Sequence, residues 1–149
     1  TTFSLAMIAS RLLGDRAFEK WGHVNTVKYG GYFGGGLWGI GLLIGIPLSD
    51  SHKTLGLIIV CIGFAAAGFG MGPFFPAFNL AAASIPGIAP SVGLARVGLI
   101  AIAAYFGGPT IIGLIAEVTS LPVAFAFPVL LYMVVGLQSR YIKVRELKQ

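Results

Sequence analysis

The chain has 149 residues, of which 56% are hydrophobic and only 10% are charged, and its mean hydropathy is +0.89. Soluble domains carry about 25% charged residues, so this composition excludes an ordinary water-soluble protein. The net charge of +5 does not indicate a nucleic-acid partner, because the basic residues lie at the ends of long uncharged segments. Segments of about 20 apolar residues are typical of membrane-spanning helices. We therefore expect an all-α, polytopic membrane helix bundle.

The first apolar segment, residues 1–10, is too short to cross a bilayer and predicts a truncated helix over residues 1–13. It leads into a charged segment, Ser10–Arg16, which reads SRLLGDR and is followed by Glu19, Lys20 and Gly22. The sequence predicts a short polar loop here that joins the truncated helix to the next span. Because the chain opens with Thr1 inside an apolar run, we expect a fragment of a longer protein.

The next span is predicted over residues 27–48, where Lys28 is the single charge and Pro47 is expected to end the helix. Glycines four residues apart lie on the same side of a helix and allow neighbouring backbones to approach. This spacing predicts close helix packing for the pairs Gly30/Gly34, Gly31/Gly35, Gly35/Gly39 and Gly41/Gly45.

Residues 54–95 contain no charge over 42 residues, which as one helix would measure roughly 60 Å, twice the hydrocarbon thickness. The segment therefore predicts one span over 55–83 and a turn rich in proline and glycine over 84–90. Within the span, Pro73 and Pro76 are expected to bend the helix.

Two further spans are predicted over residues 93–117 and 121–141, followed by a basic tail over 142–149. Gly107, Gly108 and Pro109 predict a flexible point in the middle of the first of these spans. Lys53 is the single base on one side of the predicted membrane. The other nine bases lie on the opposite side, which predicts that side and the C-terminus to be cytoplasmic: Arg11, Arg16, Lys20, Lys28, Arg96, Arg140, Lys143, Arg145 and Lys148.

The order of a helix, a Gly-Asp-Arg segment, and four spans resembles the C-terminal half of a transporter of the major facilitator superfamily (MFS), from about its eighth helix to its twelfth. The stretch from Leu94 through Gly107-Gly108-Pro109 to Ser120 is similar to the eleventh helix of bacterial sugar-permease-like members. The resemblance implies transport of a small solute by alternating access. It also implies an inner-membrane location and partners in the bilayer, the substrate and a missing N-terminal half.

The resemblance further implies a conformational switch at the charged segment. In the family, the loop aspartate lies near a helix N-terminus of the opposite half and pairs with basic residues, and exposed N–H groups favour such a carboxylate. This role falls on Asp15, with Arg11 and Arg16 as partners and Gly14 allowing close approach. The alternative is that Asp15 and Arg16 mark a simple polar turn.

The resemblance places the substrate near mid-membrane and points to the spans over 55–83 and 93–117. For Asn79 and Tyr105 the alternative to a substrate role is a packing role. Asn79 would pack against a neighbouring helix, and Tyr105 would fill a gap between helices. The predicted spans contain no acidic or basic side chain at mid-depth, so a proton-coupling group is not expected within them. The substrate-pathway candidates are Phe75, Phe78, Asn79, Tyr105 and Thr110.

No catalytic, metal-binding or cofactor-binding pattern is recognisable in the sequence, and we expect neither an enzyme nor a bound cofactor. His23 and His52 are predicted on opposite sides of the membrane, which excludes a shared metal. Two alternatives to transport stay open. The first is a membrane scaffold or assembly protein that packs with partner helices, and the second is a membrane-embedded enzyme.

Overall fold

The computed structural model describes residues 2–142, except for the side chains of Thr2 and Asp15, and these residues form helices and turns without a strand. Four helical segments are long and apolar enough to cross a membrane, and a shorter apolar helix precedes them. This arrangement confirms the predicted all-α membrane bundle. The helices are α1 (Thr2–Ser51), α2 (Lys53–Met71), α3 (Phe74–Ala83), α4 (Pro90–Val118) and α5 (Leu121–Gln138), with a 3-10 turn at Ser139–Tyr141.

Helix α1 consists of two arms, residues 2–21 and 23–51, which meet at a kink at Gly22. Gly22 has φ 74° and ψ 164°, a backbone conformation open almost only to glycine. The Thr26 hydroxyl spans the kink and lies 3.2 Å from the carbonyl oxygen of Ala17 and 2.7 Å from that of Gly22. The rings of Phe18 and His23 stack across it with centroids 4.5 Å apart. Contacts from both arms therefore hold the kink.

Two boundaries predicted for α1 are corrected by the structure. The loop expected at residues 14–16 is helical, and the chain turns at Gly22 instead. Helix continues through this segment because it lacks proline and is rich in good helix formers such as Leu, Arg, Ala, Glu and Lys. The end expected at Pro47 is also wrong, since α1 continues to Ser51 with Pro47 inside it. Prolines are tolerated within membrane helices where neighbouring groups compensate for the missing hydrogen bond.

The second arm of α1 packs closely against α2 and α5. A Cβ added to Gly31 would lie 2.8 Å from the Cα of Gly136 in α5, and one added to Gly41 would lie 3.1 Å from the Cα of Gly63 in α2. Helices in lipid associate mainly through such van der Waals contacts. The structure confirms the predicted glycine packing and divides it between two neighbours: Gly30, Gly34, Gly41 and Gly45 approach α2, and Gly31, Gly35 and Gly39 approach α5.

Aromatic side chains fill the centre of this three-helix contact. The ring of Trp38, which is 5% exposed, packs against Phe64 of α2 at 5.0 Å and against Tyr132 of α5 at 5.8 Å between centroids. The Tyr132 hydroxyl donates to the carbonyl oxygen of Ala67 at 3.0 Å and so ties α5 to α2. The core thus combines close backbone contact with one buried interhelical hydrogen bond.

Helices α3 and α4 form a hairpin beside this core. Residues 72 and 73 separate α2 from α3, so the segment predicted as one span over 55–83 consists of two helices that meet at Pro73. Pro76 lies in the first turn of α3, where a proline costs little. The turn between α3 and α4 contains Gly87 with φ 76°. Gly93 is the one buried residue of α4, which leaves most of this helix's apolar surface open.

Candidate functional site

An open groove of about 960 Å³ lies between α3 and α4 and is defined here as the α3–α4 groove. Its lining is almost wholly apolar, and its side-chain polar groups are the hydroxyls of Ser84, Tyr105 and Tyr141. The guanidinium of Arg140 donates to the Tyr141 hydroxyl at 3.3 Å, which places a cation beside the groove. A surface of this kind can hold a neutral solute through apolar contacts and a few hydrogen bonds.

The structure brings together three of the five predicted substrate-pathway residues. Phe75 and Phe78 line the groove from α3, and Tyr105 lines it from α4 with 78% of its surface exposed. Asn79 is half-buried and does not line the groove. Thr110 is also outside the lining, and its hydroxyl donates to the carbonyl oxygen of Phe106 within α4. A substrate role for any of these residues stays a prediction.

The predicted flexible point in α4 is continuous helix in the structure. Helix α4 passes through Gly107, Gly108 and Pro109 without a break. A Cβ added to either glycine would meet nothing within 4 Å. Bending at this position stays a prediction, whereas the chain does break its helix at Pro73.

A second groove, of about 640 Å³, lies between the two arms of α1 and the junction of α2 with α3, and is defined here as the α1 groove. Arg16 and Lys20 line it from the first arm, and Tyr29 and Phe33 line it from the second. Each pair is four residues apart and therefore lies on one helix face. The Lys20 ammonium lies 5.9 Å from the centroid of the Trp21 ring, which also lines the groove. The kink at Gly22 thus creates a cleft with cations and aromatic rings at its walls.

Two of the four predicted switch residues, Gly14 and Arg16, line the α1 groove. Arg11 is exposed and is not among the lining residues. The side chain of Asp15 lies outside the described residues. A Cβ added to Gly14 would meet no other group within 4 Å, so the described part of this chain does not make the close approach expected there. The switch role stays a prediction.

Two polar side chains connect the helices in a way that the sequence analysis did not predict. Ser10 is 3% exposed and its hydroxyl donates to the carbonyl oxygen of Phe69, which joins the first arm of α1 to α2. Tyr132 makes the corresponding connection from α5 to Ala67. The sequence feature that could have identified these two residues is a hydroxyl within an otherwise apolar helix, since such groups need hydrogen-bond partners in a membrane.

Within residues 2–142, the described side chains include no group of three or more His, Cys, Asp or Glu that could hold a metal ion. The single cysteine, Cys61, is half-buried in α2 as a free thiol. His23 stacks on Phe18 at the kink, and His52 lies between α1 and α2. The candidate binding sites on the described residues are the α3–α4 groove and the α1 groove.

Nearly the whole chain is similar to three curated bacterial proteins. An uncharacterised MFS-type transporter of Yersinia pestis is 32% identical over 139 residues, which cover 93% of this chain and 33% of the relative. An uncharacterised transporter of Sinorhizobium fredii is 31% identical over 83% of this chain and 30% of the relative. The membrane protein MosC of Rhizobium meliloti is 30% identical over 92% of this chain and 31% of the relative. This chain thus spans about a third of each, and no family profile or solved structure matches it.

Proposed function

We propose that this chain, which belongs to the major facilitator superfamily, forms part of a secondary transporter that moves a small solute across a membrane by alternating access. The observation that carries the proposal is the 32% identity to an MFS-type transporter over 93% of the chain. Four helices suited to crossing a membrane support it, and they make the chain an integral multi-pass membrane protein. Because the relatives bear transporter names, we do not propose an enzymatic activity.

We further propose that the chain corresponds to about helices eight to twelve of such a transporter, in a bacterial inner membrane with its C-terminus cytoplasmic. The basic tail that bears on this orientation was predicted over residues 142–149, and all of it after Ile142 lies outside the described residues. Its partner would be the other half of the transporter. The open apolar surface of α4 supports this proposal, because a helix that lines a path between two halves has no neighbour on that side within one half.

The α3–α4 groove is the proposed contribution of this chain to the solute path. Ala104 lies at the midpoint of α4, is exposed, and lines the groove. A position at this depth should meet water from either side of the membrane as the two halves rock. Leu43 offers a matched control, because it is also apolar and 77% exposed but lies on α1, away from the groove.

Cysteine labelling tests this proposal without knowledge of the substrate. In the complete natural protein with its own cysteines replaced, including Cys61→Ala, we expect Ala104→Cys to react with a membrane-impermeant maleimide added from either side of sealed vesicles. Leu43→Cys should react from neither side. Labelling of Ala104→Cys from one side only, or from neither side, would contradict alternating access and favour a membrane scaffold.

Asp15→Asn tests the proposed switch. A carboxylate near a helix N-terminus contributes about 0.3–1 kcal/mol, so its loss should change the ratio of labelling from the two sides by about two- to fivefold. Transport should slow while membrane insertion stays unchanged. An unaltered labelling ratio with unaltered transport would contradict the switch role and leave Asp15 as a residue of the helical first arm without a part in the conformational change.

A further inference from the structure

We propose that the α1 groove binds an anionic phospholipid, with the lipid phosphate on Arg16 and Lys20 and an acyl chain along the second arm of α1. The inference concerns a binding site separate from the solute path and does not depend on transport. Its basis is the position of the groove across the membrane surface, the charge at its outer end and the apolar lining at its inner end.

The groove extends from the membrane surface into the hydrocarbon layer. Residues 27–48 are uncharged apart from Lys28, and their 22 residues span about 33 Å as a helix, close to the hydrocarbon thickness. Arg16 and Lys20 precede this segment across the kink, which places them at headgroup level. Phe33 lies nearly two turns inside the segment and lines the same groove. A ligand that fills the groove therefore contacts both water-facing and lipid-facing surroundings.

The outer end of the groove carries positive charge. Among the side chains that the structure describes, Arg16 and Lys20 both line it, and the carboxylate of Glu19 is exposed outside the lining. Trp21 and Tyr29 flank the two cations, as aromatic residues commonly do at headgroup level. Basic pockets between transmembrane helices on the cytoplasmic side are typical sites for anionic headgroups.

The inner end of the groove is lined by aromatic rings and by the backbone of two glycines. Phe33 and Phe69 form its walls, while Gly30 and Gly70 contribute only backbone surface between them. A soluble phosphate ion would contact the two cations and leave these residues uncovered. A phospholipid uses both ends, and the volume of about 640 Å³ lies within the usual range for ligand sites.

Lipid retention in native mass spectrometry tests the site in the complete natural protein, purified from vesicles of phosphatidylcholine with or without phosphatidylglycerol. We expect one phosphatidylglycerol to be retained in preference to phosphatidylcholine. Lys20→Gln should weaken its retention roughly fivefold, since one basic residue near the surface contributes about 1 kcal/mol. Lys20→Arg keeps the positive charge and should retain phosphatidylglycerol as the natural protein does. Lys28→Gln is the matched control, because Lys28 is an exposed cation outside the groove lining.

Fluorescence provides a second measurement that does not depend on the Lys20 variants. Phosphatidylglycerol brominated in its acyl chains should quench a component of the tryptophan emission that Trp21→Phe removes, whereas brominated phosphatidylcholine should quench it less. Equal retention or equal quenching by the two lipids would overturn the proposal. An equal loss of phosphatidylglycerol retention in Lys28→Gln and Lys20→Gln would also overturn it, because general surface attraction would then explain binding. Displacement of the lipid by inorganic phosphate would overturn it as well.

Discussion

The second arm of α1 and helix α4 are both long, apolar and rich in glycine, yet most of the glycines in the first are closely packed and most of those in the second are open. In α1, a Cβ added at Gly31 would overlap the backbone of α5, and Gly30 and Gly45 approach α2 as closely. In α4, Gly93 approaches the backbone of α3, but a Cβ added at any of the other four glycines, Gly98, Gly107, Gly108 and Gly113, would meet nothing within 4 Å. The glycines of α1 recur at four-residue intervals and those of α4 do not. Spacing therefore distinguishes a packing helix from an open one where composition does not.

The strongest test of this comparison is Gly31→Ala. The new Cβ would lie 2.8 Å from three backbone atoms of α5, on Gly136 and Tyr132, and the helices must separate to admit it. We expect the free energy of unfolding to fall by about 3 kcal/mol, as for severe overpacking. Thermal unfolding of the complete protein in detergent measures the change.

Gly36→Ala is the matched control for Gly31→Ala. Gly36 lies five residues further along the same helix, and its added Cβ would meet only the Met133 methyl at 3.7 Å, an ordinary contact. We expect stability to stay the same or rise slightly, since alanine favours helix over glycine. Equal destabilisation by the two variants would show that close approach to α5 is not what holds α1.

Gly22→Ala should have the next largest effect, because it acts on the shape of α1 instead of its packing. Gly22 has open space around it, so the cost arises from φ 74° alone. We expect a loss of about 2 kcal/mol, read from thermal unfolding. Gly14→Ala, in the helical first arm and also in open space, should instead stabilise by about 0.5–1 kcal/mol. If Gly22→Ala left the free energy of unfolding unchanged, α1 would be able to straighten at Gly22 without a cost in stability.

Tyr132→Phe removes the hydrogen bond to Ala67 while retaining the ring that packs on Trp38. Interhelical hydrogen bonds in membranes contribute about 0.6–2 kcal/mol, and we expect a loss of about 1 kcal/mol in thermal unfolding. Tyr105→Phe makes the same chemical change on the open surface of α4 and should leave stability unchanged. If the two variants behave alike, the Tyr132 hydroxyl contributes no more than an exposed one.

The elements of this fold follow from local sequence, whereas its grooves do not. Uncharged runs of about 20 residues and glycines at four-residue spacing are local patterns, and each predicted a feature that the structure contains. The kink at Gly22 escaped prediction because the helix-forming residues around Gly14 continue the helix past the expected loop. The α1 groove depends on that kink and on Phe69 and Pro73, about fifty residues away in sequence. Such a juxtaposition requires the packed helices.

The smallest predicted effect is the one that decides what covers α4. Gly113 has open space around it in this chain, so Gly113→Ala should raise the free energy of unfolding by less than about 1 kcal/mol through helix propensity. The measurement belongs in the complete natural protein, which would contain the proposed other half of the transporter. Gly113 lies on the face of α4 opposite Ala104, and if that face stays open in the complete protein, the small gain persists. A loss comparable to that of Gly31→Ala would mean that another helix packs on this face of α4 as α5 packs on α1.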